Sequence, residues 1–234
     1  MKFPDISRWR GPGMPARNGR GVSGVNGWAA VSAVTVALVA VPATAEPLVL
    51  LALGDSLVAG FGLPPDDGFT AVLEDALQAE GYDVTVVNAG VSGDTTAGGV
   101  ARLDWSLADD PDAVLVELGA NDMLRGLDPE DARENLSAIL ARLQDEGIPT
   151  LLAGMRASPS WGAEYQTAFD TIFPDLAAEY GVPLYPFFLE GVAADPALNQ
   201  PDGIHPNREG VDVIVANLLP YVIDLIDGQT SAGG

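Results

Sequence analysis

The sequence predicts a three-layer α/β/α sandwich in which helices cover both faces of a five-stranded parallel sheet. Apolar runs rich in β-branched residues alternate about five times with helical patterns, and the connections between them are short. The central run, at 113–118, is almost free of polar residues, as expected for a strand covered on both faces. Polar clusters follow the first three runs, and ligands bind beyond the carboxyl ends of strands in such sheets.

The first half of the chain begins with an apolar run at 48–53, which predicts a strand that stops abruptly at Gly54. The next segment predicts a helix ending at Gly81, because apolar residues recur at the spacing of one helix face. These residues are Phe69, Val72, Leu73, Ala76 and Leu77. A second strand at 84–87 and a weaker helical pattern at 96–107 then lead to the central strand.

The middle of the chain predicts a helix and a fourth strand. Asp128 and Pro129 form a good helix start, since an aspartate caps the first turn and proline is tolerated at the first helical position. The helical pattern continues to about residue 145 and stops at Gly147. The fourth strand is predicted at 150–155.

The last third of the chain predicts one helix at 163–180, with a possible kink at Pro174. A short fifth strand at 182–185 and a last helix at 209–226 complete the fold. We therefore expect one domain at 46–228, followed by a flexible tail at 229–234.

The first 45 residues are typical of a secretory signal peptide. An uncharged stretch at 28–41 follows a basic leader, and Ala43-Thr44-Ala45 offers an A-x-A cleavage site. The leader's basic residues are Lys2, Arg8, Arg10, Arg17 and Arg20. The alternative is a membrane anchor, but the uncharged stretch is short for a span that needs about 20 residues. We expect cleavage after Ala45, no stable membrane insertion afterwards, and a periplasmic or secreted protein.

Composition excludes several classes of partner. The leader holds five of the 11 basic residues and one of the 33 acids, which leaves six arginines, no lysine and a net charge near −26 in the remainder. Nucleic acid and anionic membrane surfaces are therefore unexpected partners, because both require a cationic face. Such a surface suits salty surroundings, where ions screen its self-repulsion.

Cofactors are also unexpected. One histidine and no cysteine cannot build a zinc site, and the same lack of cysteine excludes a thiol nucleophile. No phosphate-binding loop or dinucleotide-binding glycine pattern is present. The sequence carries no indication of oligomeric state.

The single histidine, His205, lies in a loop with Asp202 three residues before it. Such a loop can place a carboxylate beside one imidazole nitrogen and leave the other nitrogen free to accept a proton. That arrangement activates a serine, and Ser56 stands at the end of the first predicted strand. The G-x-S-x-G elbow of α/β-hydrolases is absent, because Leu57 and Val58 follow the serine.

A serine nucleophile also needs hydrogen-bond donors for the developing oxyanion. The backbone amides of Ser56 and Gly93 and the side-chain amide of Asn121 are candidates. Each residue also has a simpler interpretation at this stage. Gly93 could serve only as a turn glycine, and Asn121 with Asp122 could form only a polar loop or a helix start.

Four short blocks occur in order along the chain: GDSL at 54–57, NAGVSGDTT at 88–96, VELGANDMLRG at 116–126 and DGIHPN at 202–207. Together they resemble the four blocks of the SGNH, or GDSL, hydrolases, above all the bacterial branch described as thioesterase, lysophospholipase and arylesterase. The resemblance extends over about residues 47–226. It implies a flavodoxin-like fold and no cofactor.

The resemblance also implies a role for each candidate residue. Ser56 would be the nucleophile, His205 the base and Asp202 its partner, while Ser56, Gly93 and Asn121 would form the oxyanion hole. One loop departs from the thioesterase branch, which carries a Leu-Pro pair where MRASPSWG at 155–162 does not. Because that loop lines the acyl site of the family, the resemblance implies no preference for acyl chain length.

We therefore expect an exported serine esterase that acts on a small acyl ester, a thioester or a lysophospholipid. Two other functions stay open at this point. A carbohydrate deacetylase of the same superfamily would need a polar, open acyl pocket. A catalytically silent binding protein on the same scaffold would not need the complete set of catalytic residues that this sequence carries.

Overall fold

Five parallel strands form one sheet in the computed structural model, which describes residues 47–232. The strands are β1 (Leu48–Gly54), β2 (Val84–Gly90), β3 (Ala113–Glu117), β4 (Thr150–Ala153) and β5 (Leu184–Tyr185). Their order across the sheet is β2-β1-β3-β4-β5. This parallel sheet with its helices confirms the predicted sandwich and the flavodoxin-like fold.

The helices are α1 (Ser56–Ala59), α2 (Phe69–Ala79), α3 (Thr96–Ser106), α4 (Ala120–Leu124), α5 (Pro129–Asp145), α6 (Ala163–Asp170), α7 (Ile172–Tyr180) and α8 (Arg208–Ala232). Helix α2 packs against α8, whereas α5 packs against both α3 and α7. Every residue of the central strand β3 is buried, because helices cover both faces of the sheet.

The predicted helix at 163–180 is two helices, α6 and α7, which separate at Thr171. Pro174 explains the break, because proline has no N–H to donate and its ring clashes with the carbonyl four residues earlier, that of Asp170. The sequence therefore predicted the place of the disturbance, but the effect is a complete interruption rather than a bend.

The last helix is longer than predicted, since α8 continues past Gly228 to Ala232. The predicted boundary at residue 228 therefore falls inside α8. Glycine inside a helix costs only about 1 kcal/mol relative to alanine, so Gly228 does not suffice to end α8. Residues 233 and 234 lie outside the described part of the chain.

The predicted signal peptide at 1–45 also lies outside the described residues. Within 47–232, no helix combines the length and the apolar character that a membrane crossing requires.

Candidate active site

Ser56 lies at the carboxyl end of β1, as the first residue of the short helix α1. Asp55 caps this helix, since its side chain accepts a hydrogen bond from the backbone N–H of Leu57 at 2.9 Å. The helix ends after one turn at Gly60, which adopts the left-handed conformation. This turn lifts the Ser56 hydroxyl above the edge of the sheet.

His205 meets Ser56 and Asp202 at hydrogen-bonding distance. The Nε2 atom of its imidazole lies 2.9 Å from Ser56 Oγ, and Nδ1 lies 2.7 Å from Asp202 Oδ2. The ring is largely buried, with 17% of the side chain exposed, and Phe61 packs against it with 4.5 Å between ring centroids. The structure thus brings together the three residues that the sequence singled out, although they are up to 149 positions apart.

The Asp202 carboxylate is held by its own loop. Besides the imidazole, it accepts hydrogen bonds from the backbone N–H groups of Ile204 at 2.9 Å and His205 at 3.0 Å. The hydrogen bond from His205 and these two backbone donors lower the pKa of Asp202 to about 2. An ionised Asp202 accepts a hydrogen bond from Nδ1–H, so the lone pair of Nε2 faces Ser56.

Gly93 and Asn121 line the same cavity as Ser56 and His205. Among residues 47–232, no hydrogen bond engages the backbone N–H of Ser56 or of Gly93, so both donors stay available. Arg125 donates to the carbonyl oxygen of Gly93 at 2.5 Å and so fixes the Gly93 loop. Gly93 adopts φ of 84°, which favours glycine, and Asn121 lies in the first turn of α4.

The cavity beside Ser56 has a volume of about 700 Å³. Most of its wall is apolar and comes from Met123, Leu124, Met155, Phe187, Leu189 and Ile204. Arg156 is the one arginine among the cavity's lining residues, which include no lysine, and its guanidinium lies 5.0 Å from the centroid of the Phe187 ring. A cavity of this size and character accommodates an aliphatic or aromatic acyl group.

Comparison with known proteins assigns the family, because residues 52–213 match the GDSL-like Lipase/Acylhydrolase family. The chain belongs to the GDSL, or SGNH, hydrolases. The resemblance that the four sequence blocks indicated is thereby confirmed.

Relatives of this SGNH hydrolase cover most of its length. Esterase TesA of Pseudomonas aeruginosa is 41% identical over 192 residues, which make up 82% of this chain and 96% of the relative. Thioesterase 1/protease 1/lysophospholipase L1 of Escherichia coli K12 is 44% identical over 178 residues, 74% of this chain and 84% of the relative. The crystal structure of AlinE4, an SGNH-hydrolase family esterase, superposes with a TM-score of 0.66 at 49% identity and covers 77% of this chain and 97% of that one. The chain is therefore a carboxylic ester hydrolase that acts on a small-molecule ester.

Two buried acids of this SGNH hydrolase, Asp55 and Glu117, were not assigned a role from the sequence. Asp55 accepts a hydrogen bond from Asn121 Nδ2 at 2.9 Å, and Glu117 Oε2 accepts one from the backbone N–H of Asp55 at 3.3 Å. Both side chains have 0% exposure. The available signal was an acid at the end of each of two otherwise apolar strands, at Asp55 after β1 and at Glu117 in β3.

Arg102 is a further residue that sequence reasoning missed. Its guanidinium donates to Asp94 at 2.6 Å and to the carbonyl oxygens of Ala89 and Gly54 at 2.7 Å each. Arg102 therefore ties the carboxyl ends of β1 and β2 together directly before the nucleophile turn. Nothing in the spacing of the sequence distinguishes this arginine from one on the surface.

Proposed function

We propose that this enzyme hydrolyses acyl esters with Ser56 as nucleophile, His205 as general base and Asp202 as the acid that orients the imidazole. Two contacts carry the proposal. Ser56 Oγ lies 2.9 Å from His205 Nε2, and His205 Nδ1 lies 2.7 Å from Asp202 Oδ2. Neutral imidazole can take the hydroxyl proton through Nε2, while the carboxylate stabilises the imidazolium that forms.

In the proposed reaction, Ser56 Oγ attacks the carbonyl carbon of the ester as its proton passes to His205 Nε2. The carbonyl oxygen becomes an oxyanion that accepts hydrogen bonds from the backbone N–H groups of Ser56 and Gly93 and from the side-chain amide of Asn121. His205 then protonates the departing alcohol or thiol, which leaves an acyl group on Ser56. Water attacks this acyl group as His205 takes one of the water's protons. The bond between the acyl carbon and Ser56 Oγ then breaks, His205 returns the proton to Ser56 Oγ, and the carboxylic acid is released.

The apolar cavity supports an acyl ester, a thioester or a lysophospholipid as substrate, since an aliphatic chain gains free energy when it leaves water for such a wall. The mostly apolar wall gives less support to a carbohydrate deacetylase, which would require a polar, open acyl pocket. The contacts among Ser56, His205 and Asp202 give no support to a catalytically silent binding protein.

We further propose that residues 1–45 are a signal peptide removed after Ala45, so that the enzyme acts in the periplasm or outside the cell, with its single catalytic domain following that site. The basic leader, the short uncharged stretch and the A-x-A site support this assignment. N-terminal sequencing of the protein recovered from the periplasm and the medium would test it, and an uncleaved chain in the membrane fraction would refute it.

The nucleophile assignment is tested by Ser56→Ala, which we expect to lower kcat by at least about 10³-fold while the fold persists. A fluorophosphonate should label Ser56 of the wild type, and mass spectrometry of the labelled peptide would show the site. His205→Ala should be about as damaging, and the double variant little worse than either, because the two residues act as one unit. Labelling of another serine, or losses that multiply in the double variant, would contradict the triad.

A further inference from the structure

Asp55 lies beneath the nucleophile with both of its carboxylate oxygens engaged. Oδ1 accepts a hydrogen bond from the backbone N–H of Leu57 at 2.9 Å, and Oδ2 accepts one from Nδ2 of Asn121 at 2.9 Å. The side chain has 0% exposure, so no bulk water competes for these positions. An ionised carboxylate can only accept hydrogen bonds, and Asn121 must therefore present its NH₂ group rather than its carbonyl oxygen to Asp55.

The orientation of the Asn121 amide decides whether this side chain helps or opposes the reaction. Its Nδ2 atom carries two hydrogens, and only one of them is used by Asp55 among the described residues. The second hydrogen can be donated to an oxyanion in the cavity that Asn121 lines. A half-turn of the amide would put its oxygen there instead, and an electron-rich oxygen would then face the negative charge of the transition state.

We infer that Asp55 is a positioning residue, whose ionised carboxylate holds the Asn121 amide in the orientation that donates to the oxyanion. This inference rests on the proposed function, because it requires that Asn121 serve the oxyanion. Asp55 touches neither substrate nor the reacting atoms in this role, and it acts through Asn121 alone.

The surroundings of Asp55 bring the pKa of its carboxyl group closer to neutral pH. Burial raises its pKa to about 6, and the hydrogen bonds from Leu57 and Asn121 offset part of that increase. The charged or titratable groups that face it are Glu117 from β3, Asp122 from α4, His205 from the loop before α8 and, through the carbonyl of Gly54, Arg102 from α3.

Below about pH 6 the protonated carboxyl of Asp55 can donate a hydrogen bond to the side-chain oxygen of Asn121 and so release or reverse the amide. The acid side of the kcat/KM profile should therefore depend on two groups, the imidazole of His205 and the carboxyl of Asp55.

The decisive variant is Asp55→Asn. The backbone N–H of Leu57 requires an oxygen at the position of Oδ1, so the new amide presents its NH₂ group to Asn121 and turns the Asn121 oxygen toward it. We expect kcat to fall by about 10²–10³-fold with a much smaller change in KM, as for the loss of an oxyanion donor. Adding Asn121→Ala to Asp55→Asn should cause no further loss, because the effect of Asp55 passes through Asn121.

Two further variants separate positioning from helix capping. Asp55→Ser keeps a capping hydroxyl for α1 but is too short to hold Asn121, so it should lose less activity than Asp55→Asn. Asp128→Asn makes the same substitution at the exposed cap of α5, where Asp128 accepts from Glu130 at 3.0 Å, and should leave kcat unchanged. Thermal unfolding of each variant would show whether the protein tested is folded.

The measurements are kcat and KM of the variants on one p-nitrophenyl ester, together with the pH profile of kcat/KM. The inference is supported if log(kcat/KM) on the acid side of the profile rises with pH with a slope that approaches two in the wild type and one in Asp55→Asn. It is overturned if the losses of Asp55→Asn and Asn121→Ala multiply in the double variant, or if Asp55→Ser keeps the wild-type kcat. The latter result decides the matter even when Asp55→Asn does not fold. Activity that survives Ser56→Ala would instead refute the proposed function itself.

Discussion

Glu117 ends the central strand with a carboxyl group that is entirely buried. Its Oε2 accepts the backbone N–H of Asp55, while Oε1 has no hydrogen-bond partner among the described residues. Burial and the neighbouring Asp55 raise the pKa of Glu117 well above its ordinary value, so the group is held in its neutral form. The missing Cβ of Gly54 makes room for it, since an added Cβ would lie 2.7 Å from Oε2.

This neutral Glu117 predicts how stability depends on pH. Above pH 4.5, the ordinary pKa of a glutamate side chain, the unfolded chain releases the proton that the folded chain keeps, so folding takes up a proton. Glu117 therefore costs stability increasingly as pH rises, by at most about 1.4 kcal/mol per pH unit, until the pH reaches the pKa of the folded state.

We expect Glu117→Gln, which mimics the neutral acid, to gain stability relative to the wild type as pH increases from 5 to 8. Urea unfolding of both proteins at several pH values would measure the difference in free energy. A difference that is the same at every pH would contradict the assignment of a neutral Glu117. Because only the trend is predicted, a constant cost of the new amide does not affect the test.

At the scale of single residues, the sequence predicted catalytic roles for residue types that are rare in this chain. Because the chain has one histidine and no cysteine, the catalytic candidates were His205, its neighbour Asp202 and a serine at a strand end. Asp55 and Glu117 received no role because acids are the commonest charged residues of this chain, with 33 of them against 11 basic residues. Only the packing distinguishes these two buried acids from the many on the surface.

At the scale of elements, two glycines let α1 approach the strands. Gly54 and Gly90 are register partners at the carboxyl ends of β1 and β2. A Cβ on Gly90 would lie 2.2 Å from the backbone nitrogen of Ala59, and one on Gly54 would lie 2.3 Å from Cγ2 of Val58. The height of Ser56 above the sheet therefore depends on two positions that have no side chain.

We expect Gly90→Ala to push α1 away from β2, because the clash is with backbone that cannot rotate aside. Overpacking of this kind costs about 3 kcal/mol, and the displacement of Ser56 should also lower kcat. Gly228→Ala is a matched control in α8, where among the described residues nothing beyond the neighbouring helix backbone lies within 4 Å of the added carbon. That variant should gain up to about 1 kcal/mol from helix propensity.

The two glycine variants would be compared by thermal unfolding and by kcat on one ester. Equal melting temperatures and equal kcat for Gly90→Ala and the wild type would show that α1 does not depend on this close approach. Sequence patterns predicted strands and long helices, but α1 has four residues and no periodicity, so contacts alone reveal it. The break at Thr171 follows from Pro174, but the pattern alone did not show whether this proline bends the helix or interrupts it.

At the scale of the whole molecule, the dominant feature is negative charge. The full chain has a net charge of −22, and residues 46–234 carry about −26 with only six arginines. Among the described residues, five of these arginines form ion pairs with acids, which are Arg102, Arg133, Arg142, Arg156 and Arg208. Pairing leaves few positive charges to attract an anion toward the cavity, and the summed field acts over about 30 Å at low salt.

This field predicts that ionic strength discriminates among substrates that share one acyl group. Acyl-CoA carries several phosphate charges and is repelled, whereas the same acyl group on N-acetylcysteamine is a neutral thioester. Between about 0.01 M and 1 M salt the screening length falls from about 30 Å to about 3 Å. We therefore expect kcat/KM for acyl-CoA to rise by roughly tenfold over that range, mostly because the substrate meets the enzyme more often, with little change for the neutral thioester.

Stopped assays of the released thiol measure both substrates in the same way. A fall in kcat/KM for acyl-CoA with added salt would instead mean that a local cation, such as Arg156 in the cavity wall, outweighs the charge of the whole molecule.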